Sequence, residues 1–323
     1  MPVSSAFAKT LAFLLDNDQP LPPRALYQFS NLAGDDLAAL EVAWPRITVE
    51  RRANLLEDLD ELFEANFEVD FEQVFLLGMR DESAPVRAAA IKGLWESRAP
   101  GLLSRLIDLV QHDPAEEVRA AAASALGRYV YAGEVDELPA RDARRVEAVL
   151  LEIIRGQQPL EVRRRALEAM AYSSLPEVSA LIGEAYAAPQ EPLRVSAVFA
   201  MGRSADEERW AQTVLAELEN VSPAIRFEAV RAAGELELAD AVPALARAAQ
   251  DGDLQVREAA IWSLGQVGGE AARKALRRCL RDAPSDERDY IRDALENLDF
   301  SDEIHALPML DFEDPDALDD EPG

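Results

Sequence analysis

The chain of 323 residues holds one cysteine, Cys279, and two histidines, His112 and His305. A single cysteine excludes an intrachain disulfide and agrees with a reducing compartment, so a cytoplasmic location is expected. Neither histidine has a second His or Cys at ligand spacing, and neither is placed to serve as the base of a nucleophile triad. No G-x-x-x-x-G-K-[ST] loop is present. Carboxylates are too many for one acid–base pair to stand out, so the expectation is a protein without a catalytic site, metal or cofactor. No apolar run reaches about 18 residues, which argues against a transmembrane helix. The N-terminal stretch lacks a basic region and a clear cleavage site, and it reads as a helix, not a signal peptide. Positive charge is also short: 33 Lys and Arg against 61 Asp and Glu give a net charge of −28. That balance disfavours nucleic acid and anionic membranes, and leaves plain solubility or a basic protein partner as its meaning. Strand-type alternation is scarce, so the fold class is all-α.

What the chain does have is repetition. DGDLQVREAAIWSLG begins at Asp251, DESAPVRAAAIKGLW at Asp81 and DPAEEVRAAAASALG at Asp113. Weaker copies place the same arginine at Arg163, Arg194, Arg226 and Arg288, beside Arg87, Arg119 and Arg257. The intervals are 32, 44, 31, 32, 31 and 31 residues. A period near 31 is the mark of a solenoid. Around each arginine, offsets −1, +3, +4 and +7 are mostly apolar, with Ala90, Ala122, Ala166, Ala197, Ala229 and Ala260 at +3. These offsets share one helical face. Six residues before the arginine stand Asp81, Asp113, Asp251 or Asp282. An Asp there can accept backbone N–H bonds at the turn, or meet an arginine of its own or a neighbouring repeat.

This pattern of Asp, five residues, Val-Arg, then Ala and Leu resembles the HEAT repeat, and more closely the short variety of bilin-lyase-like proteins. The resemblance covers roughly residues 71–299 and implies an α-solenoid, a right-handed superhelix of helix pairs. On function it says little, because such repeats serve scaffolds, adaptors and a few enzymes. Iron-dependent hydroxylases of similar repeats carry several His-Glu pairs, and this chain has none. Bilin lyases attach a chromophore to another protein, but no catalytic constellation is here to carry over.

Residues 1–70 are expected to form a helical cap ending in a degenerate repeat over Val49–Ala65, with Arg51 at the place of the repeat arginine. About seven units fill 71–298. The 44-residue interval holds an insertion near 129–144, expected as a loop. Residues 299–323 contain ten acids and no Lys or Arg. They are expected to be disordered, either a solubilising tail or a segment that folds on a partner through Leu307, Met309, Leu310 and Phe312.

The resemblance implies that the second helix of each repeat lines a concave side. Offsets +2, +5 and +9 then project from the seam and present Arg165, Tyr172, Phe199, Arg203, Arg231 and Trp262 as candidate contacts for a protein or peptide, the alternative being that these rings are buried between repeats. The favoured function is a non-catalytic protein-binding scaffold or adaptor. A tail-autoinhibited regulatory subunit and a chromophore-lyase-like enzyme are the alternatives, and the oligomeric state is open.

Overall fold

The computed structural model describes residues 3–306 apart from 67, 285 and 286, with side chains described through 300. Leu307, Met309, Leu310 and Phe312 lie outside the described residues. No strand occurs among the described residues. The chain divides into two compact units, Met1–Ala200 and Met201–Gly323.

The first unit opens with α1 (Ser5–Leu15), α2 (Pro23–Leu26), α3 (Gly34–Ala43) and α4 (Val49–Ala65). Ser4 caps α1, its hydroxyl accepting from the Phe7 N–H, and Thr48 caps α4 in the same way. Phe7 and Phe29 meet edge to face with centroids 5.6 Å apart and anchor this end. Then follow α5 (Glu72–Gly78), α6 (Ala84–Lys92), α7 (Leu102–His112), α8 (Glu116–Glu134), α9 (Ala140–Arg155), α10 (Leu160–Met170) and α11 (Pro176–Tyr186). Helix α12 (Glu191–Arg203) contains the division point. The second unit continues with α13 (Glu207–Glu217), α14 (Pro223–Glu235), α15 (Val242–Ala248), α16 (Leu254–Val267), α17 (Gly269–Asp282) and α18 (Arg288–Ala306). Within each unit, first helices pack on second helices and second helices pack side by side: α4, α6, α8 and α10 in one, α14, α16 and α18 in the other. This is an α-solenoid.

The repeat residues explain the geometry. The turn acid does accept backbone N–H groups: Asp81 from Ser83, Asp113 from Ala115, Asp251 from Asp253, with Asn220 doing the same for Ser222. It also pairs with the arginine of the preceding unit, as Arg87 with Asp113 and Arg226 with Asp251. The third hand of each guanidinium donates to carbonyls of its own turn: Arg87 to Asp81 and Glu82, Arg226 to Asn220 and Val221. One side chain therefore ties two consecutive turns. Gly268 and Gly269 both hold positive φ, 69° and 77°, and let α16 pass directly into α17.

Three expectations change. The degenerate repeat takes Arg52, not Arg51, as its arginine: Arg52 is 4% exposed and pairs with Asp81 at 3.0 Å. Leu55, Leu56 and Leu59 then fall at +3, +4 and +7 and are buried. Arg51 instead donates to the carbonyls of Phe13, Leu14 and Gln19 at the end of α1. The extra residues near 129–144 are not a long loop. They lengthen α8 to Glu134 and start α9 at Ala140, leaving a turn of only 135–139. The last helix, α18, runs to Ala306, past Leu298.

Candidate functional site

Small residues set how closely second helices approach. At +8 from the repeat arginine stand Gly127, Gly202, Gly234 and Gly265, and each faces the +6 residue of the next repeat. A Cβ on Gly127 would sit 3.2 Å from the Ala169 Cα, on Gly202 2.7 Å from the Ala232 Cα, on Gly234 2.9 Å from the Ser263 Cα, and on Gly265 3.0 Å from the Ala294 carbonyl oxygen. Helices in contact at this range leave no space between them. At the same place Arg163 has Ala171, and Arg288, whose helix is the last described, has Glu296; between neighbouring second helices two positions depart from small residues. In register with Arg52 and Arg87, the +8 residues are Asp60 and Trp95.

There the first unit opens a cleft of about 970 Å3 across α4, α6, α8 and α10. Its floor is Leu56, Ile91 and the small residues Ala88, Ala89, Ala121 and Ala125. One rim is the acidic face of α4, with Glu57 and Glu61. Glu64 continues that face beside Trp95 and Lys92 in an adjoining hollow. Crowding is visible on the same helix: partial burial, then the neighbouring Glu61 and Glu57, push the Asp58 carboxyl above its ordinary range.

Trp95 is 44% exposed at the end of this cleft, its ring 5.9 Å from that of Phe63. Its backbone is fixed by Arg128, which donates to the carbonyls of Leu94 at 3.2 Å and Trp95 at 2.5 Å and to that of Ser97. That guanidinium also lies 4.5 Å over the Tyr129 ring. Arg128 is thus a clamp for the segment after α6. Asp60 is 3% exposed. Its Oδ2 takes the Lys92 ammonium at 2.8 Å, while its Oδ1 is buried without a hydrogen-bond partner. The bond to Asp60 raises Lys92 above an ordinary lysine, against a smaller opposing effect of burial.

A family model described as HEAT repeats matches residues 72–140 and 211–296. Those two stretches of the chain are HEAT repeats. Its fold is similar to that of the CpcE–CpcF complex of phycocyanin lyase from Nostoc sp. PCC7120, at 16% identity over 88% of this chain and 97% of that one, with a TM-score of 0.53. It also aligns with YibA of Escherichia coli, at 15% identity over 74% of this chain and 96% of that one, TM-score 0.43. Importin beta aligns at 16% identity over 89% of this chain and 43% of that one, TM-score 0.45. No curated protein sequence matches this chain. At 16% identity the likeness to the CpcE–CpcF complex concerns the fold alone.

Of the six residues singled out from the repeat pattern, Arg165 lines the cleft. It is held by Glu161 and Glu168, both at 2.8 Å. Burial opposes its charge, but those two carboxylates outweigh it and raise the Arg165 pKa. Arg164, beside it, joins Glu161 and Ser196, and Ser196 donates to Glu168, so this network links α10 to α12. Tyr172 is half-buried and meets Tyr131 edge to face at 5.5 Å. Phe199 is half-buried on α12. In the second unit Arg203 and Arg231 converge on Glu235 at 3.1 and 3.4 Å, and Arg231 lies 5.7 Å over Phe227. Trp262 is half-buried there. Burial raises the Glu235 pKa, and the two arginines pull against it.

Sequence reasoning passed over Trp95, Asp60 and Lys92 as a group. The signal lay at +8, where Gly or Ala fills Gly127, Ala171, Gly202, Gly234 and Gly265 but a tryptophan stands at 95. Asp60 fell out of register because the first arginine was placed one residue early. Among the described residues no group of three His, Cys, Asp or Glu could hold a metal ion, and no helix is long and apolar enough to cross a membrane. Burial pushes the Cys279 thiol up, the reverse of what a nucleophilic thiolate requires.

Proposed function

We propose that this protein is a non-catalytic scaffold or adaptor whose cleft on α4, α6, α8 and α10 holds a positively charged segment of another protein. The observation that carries this reading is the cleft itself. Its floor of alanines and Leu56 offers apolar area to a side chain or helix ridge, and its α4 rim is acidic. An exposed tryptophan at one end is the residue type that most often anchors an interface. The charge of −28 favours encounter with a basic partner and disfavours phosphate backbones.

The test is site-specific crosslinking. A photo-reactive group at Ser124, which is exposed on the cleft wall, is irradiated in cell extract with and without Ala125→Arg. The substitution fills the floor and adds a cation. The expected result is a crosslinked protein lost in the variant and weakened by salt. The same adducts from both forms would overturn the reading.

A further inference from the structure

The acidic rim alone would attract any cation, but one feature of the cleft is more selective. Asp60 is almost wholly buried, and its two oxygens are unequally served. Oδ2 has the Lys92 ammonium, and Oδ1 has no donor. An unsatisfied buried carboxylate oxygen is unfavourable, and structures seldom leave one without a reason. The lysine that serves Asp60 is itself 71% exposed along its side chain. It enters from the solvent side on a flexible stem, as a point charge that satisfies one oxygen. A guanidinium is a planar fork that meets both oxygens of a carboxylate together. Trp95 borders the same hollow as Asp60, Lys92 and Glu64. Its indole face suits a guanidinium or an aliphatic stem lying across it. Arg128 holds the Trp95 backbone in place, so this wall is formed before any partner arrives.

We propose that Asp60, Lys92 and Trp95 form a subsite for one arginine side chain of the partner segment, with Lys92 keeping the place until the guanidinium displaces it. The inference rests on the reading of the cleft as a binding surface for a basic protein segment. It adds which residue type is recognised and how the free protein protects its buried carboxylate. Binding exchanges one internal cation for an external one. Asp60 then gains a donor on Oδ1, and Lys92 moves to water beside Glu57 and Glu64, whose charges already act on it. A lysine from the partner would reproduce only the contact that Lys92 already makes.

The test uses the full chain and two fluorescein-labelled twelve-residue alanine-rich peptides of equal charge, one with three arginines and one with three lysines. Anisotropy is read for wild type and for Asp60→Asn, Lys92→Met, Trp95→Ala and Glu57→Gln, each checked for folding by circular dichroism. The arginine peptide is expected to bind wild type about tenfold more tightly than the lysine peptide, as the fork geometry requires. Asp60→Asn and Trp95→Ala should remove that preference. Glu57→Gln should weaken both peptides equally. Lys92→Met removes the competitor and should tighten the arginine peptide; it also leaves Asp60 unpaired, so that peptide should raise its Tm more than it raises that of wild type. Equal binding of the two peptides, or loss of arginine binding in Lys92→Met, would overturn the subsite while the cleft reading stands. Binding that Ala125→Arg leaves untouched would overturn both.

Discussion

Arg87 closes on Asp113 with two parallel hydrogen bonds, Nε to Oδ2 at 2.9 Å and Nη2 to Oδ1 at 2.8 Å, and both residues are buried. The same fork joins Arg226 to Asp251 at 2.9 Å, with more solvent around it. Removing one partner of a buried pair strands the other charge, at a cost of about 3–5 kcal/mol. Asp113→Ala should therefore shift the urea midpoint strongly, and Asp251→Ala distinctly less. Equal shifts would show that the depth of the pair has no bearing on its contribution.

These carboxylates also set the acid limb of stability. Burial works against the charge on Asp113, but the Arg87 bond and the Ala115 N–H hold its pKa below the usual range. Asp251 is lowered chiefly by Arg226. A folded pKa below the unfolded value of about 3.9 gives stability that is present above that pH and lost as pH falls through the folded pKa. The double variant Asp113→Asn/Asp251→Asn should be less stable at neutral pH and show a flatter decline below about pH 4. Glu235 acts with the opposite sign, since burial raises its pKa. Glu235→Gln should remove a gain that wild type makes as pH falls through the raised value. Urea midpoints measured from neutral to acid pH would separate the two signs.

Arg51 offers a local test. Its guanidinium donates to the Phe13, Leu14 and Gln19 carbonyls at 2.8, 3.1 and 3.0 Å and so caps the end of α1. Charge-assisted bonds of this kind contribute about 1.5–3 kcal/mol each at most, and the site is partly solvated. Arg51→Ala should free α1 ahead of the rest, seen as faster amide exchange over Ser5–Leu15 with little change in α8 or α16. Uniform acceleration would mean that the contact supports the whole array.

Much of the fold was legible because its information is local and repeated. The apolar offsets around Arg87, Arg119 and Arg257 mark the buried face directly, and the turn acids announce their Asx bonds. The +3 alanines Ala90, Ala122, Ala166, Ala197, Ala229 and Ala260 are all fully buried. Close backbone approaches between second helices, however, occur between +8 and the following +6, and that relation joins residues of different repeats. The separation is 29 or 30 residues in three pairs and 42 for Gly127 and Ala169, so register between neighbours decides it, and a pattern within one copy does not carry it. The cleft was hidden for the same reason. Trp95 and Asp60 are unusual only by comparison with Gly127 and its counterparts, and Asp60 enters that comparison only once Arg52 is known to pair with Asp81. The site arginines looked available because their acids sit on the same or the next helix, as Glu161 and Glu168 do for Arg165.

The glycines of this ladder allow a graded prediction. Gly to Ala within a helix gains about 1 kcal/mol of intrinsic propensity, so any loss must come from the neighbour. On Gly234 a Cβ would meet Ser263 Oγ at 2.7 Å and its Cβ and Cα at 2.8 and 2.9 Å, and that hydroxyl already donates to the Val230 carbonyl at 2.8 Å. On Gly202 it would meet the Ala232 Cα at 2.7 Å. Overpacking of this kind costs about 1–3 kcal/mol and more when backbone must move. Gly202→Ala and Gly234→Ala should both destabilise. Gly127→Ala, with its nearest atom at 3.2 Å, should be close to neutral, and Gly252→Ala, with nothing within 4 Å, should not destabilise through packing. Urea midpoints that fail to follow this order would mean that the second helices can slide apart without penalty, and the closed ladder would then not explain why the cleft opens at Trp95.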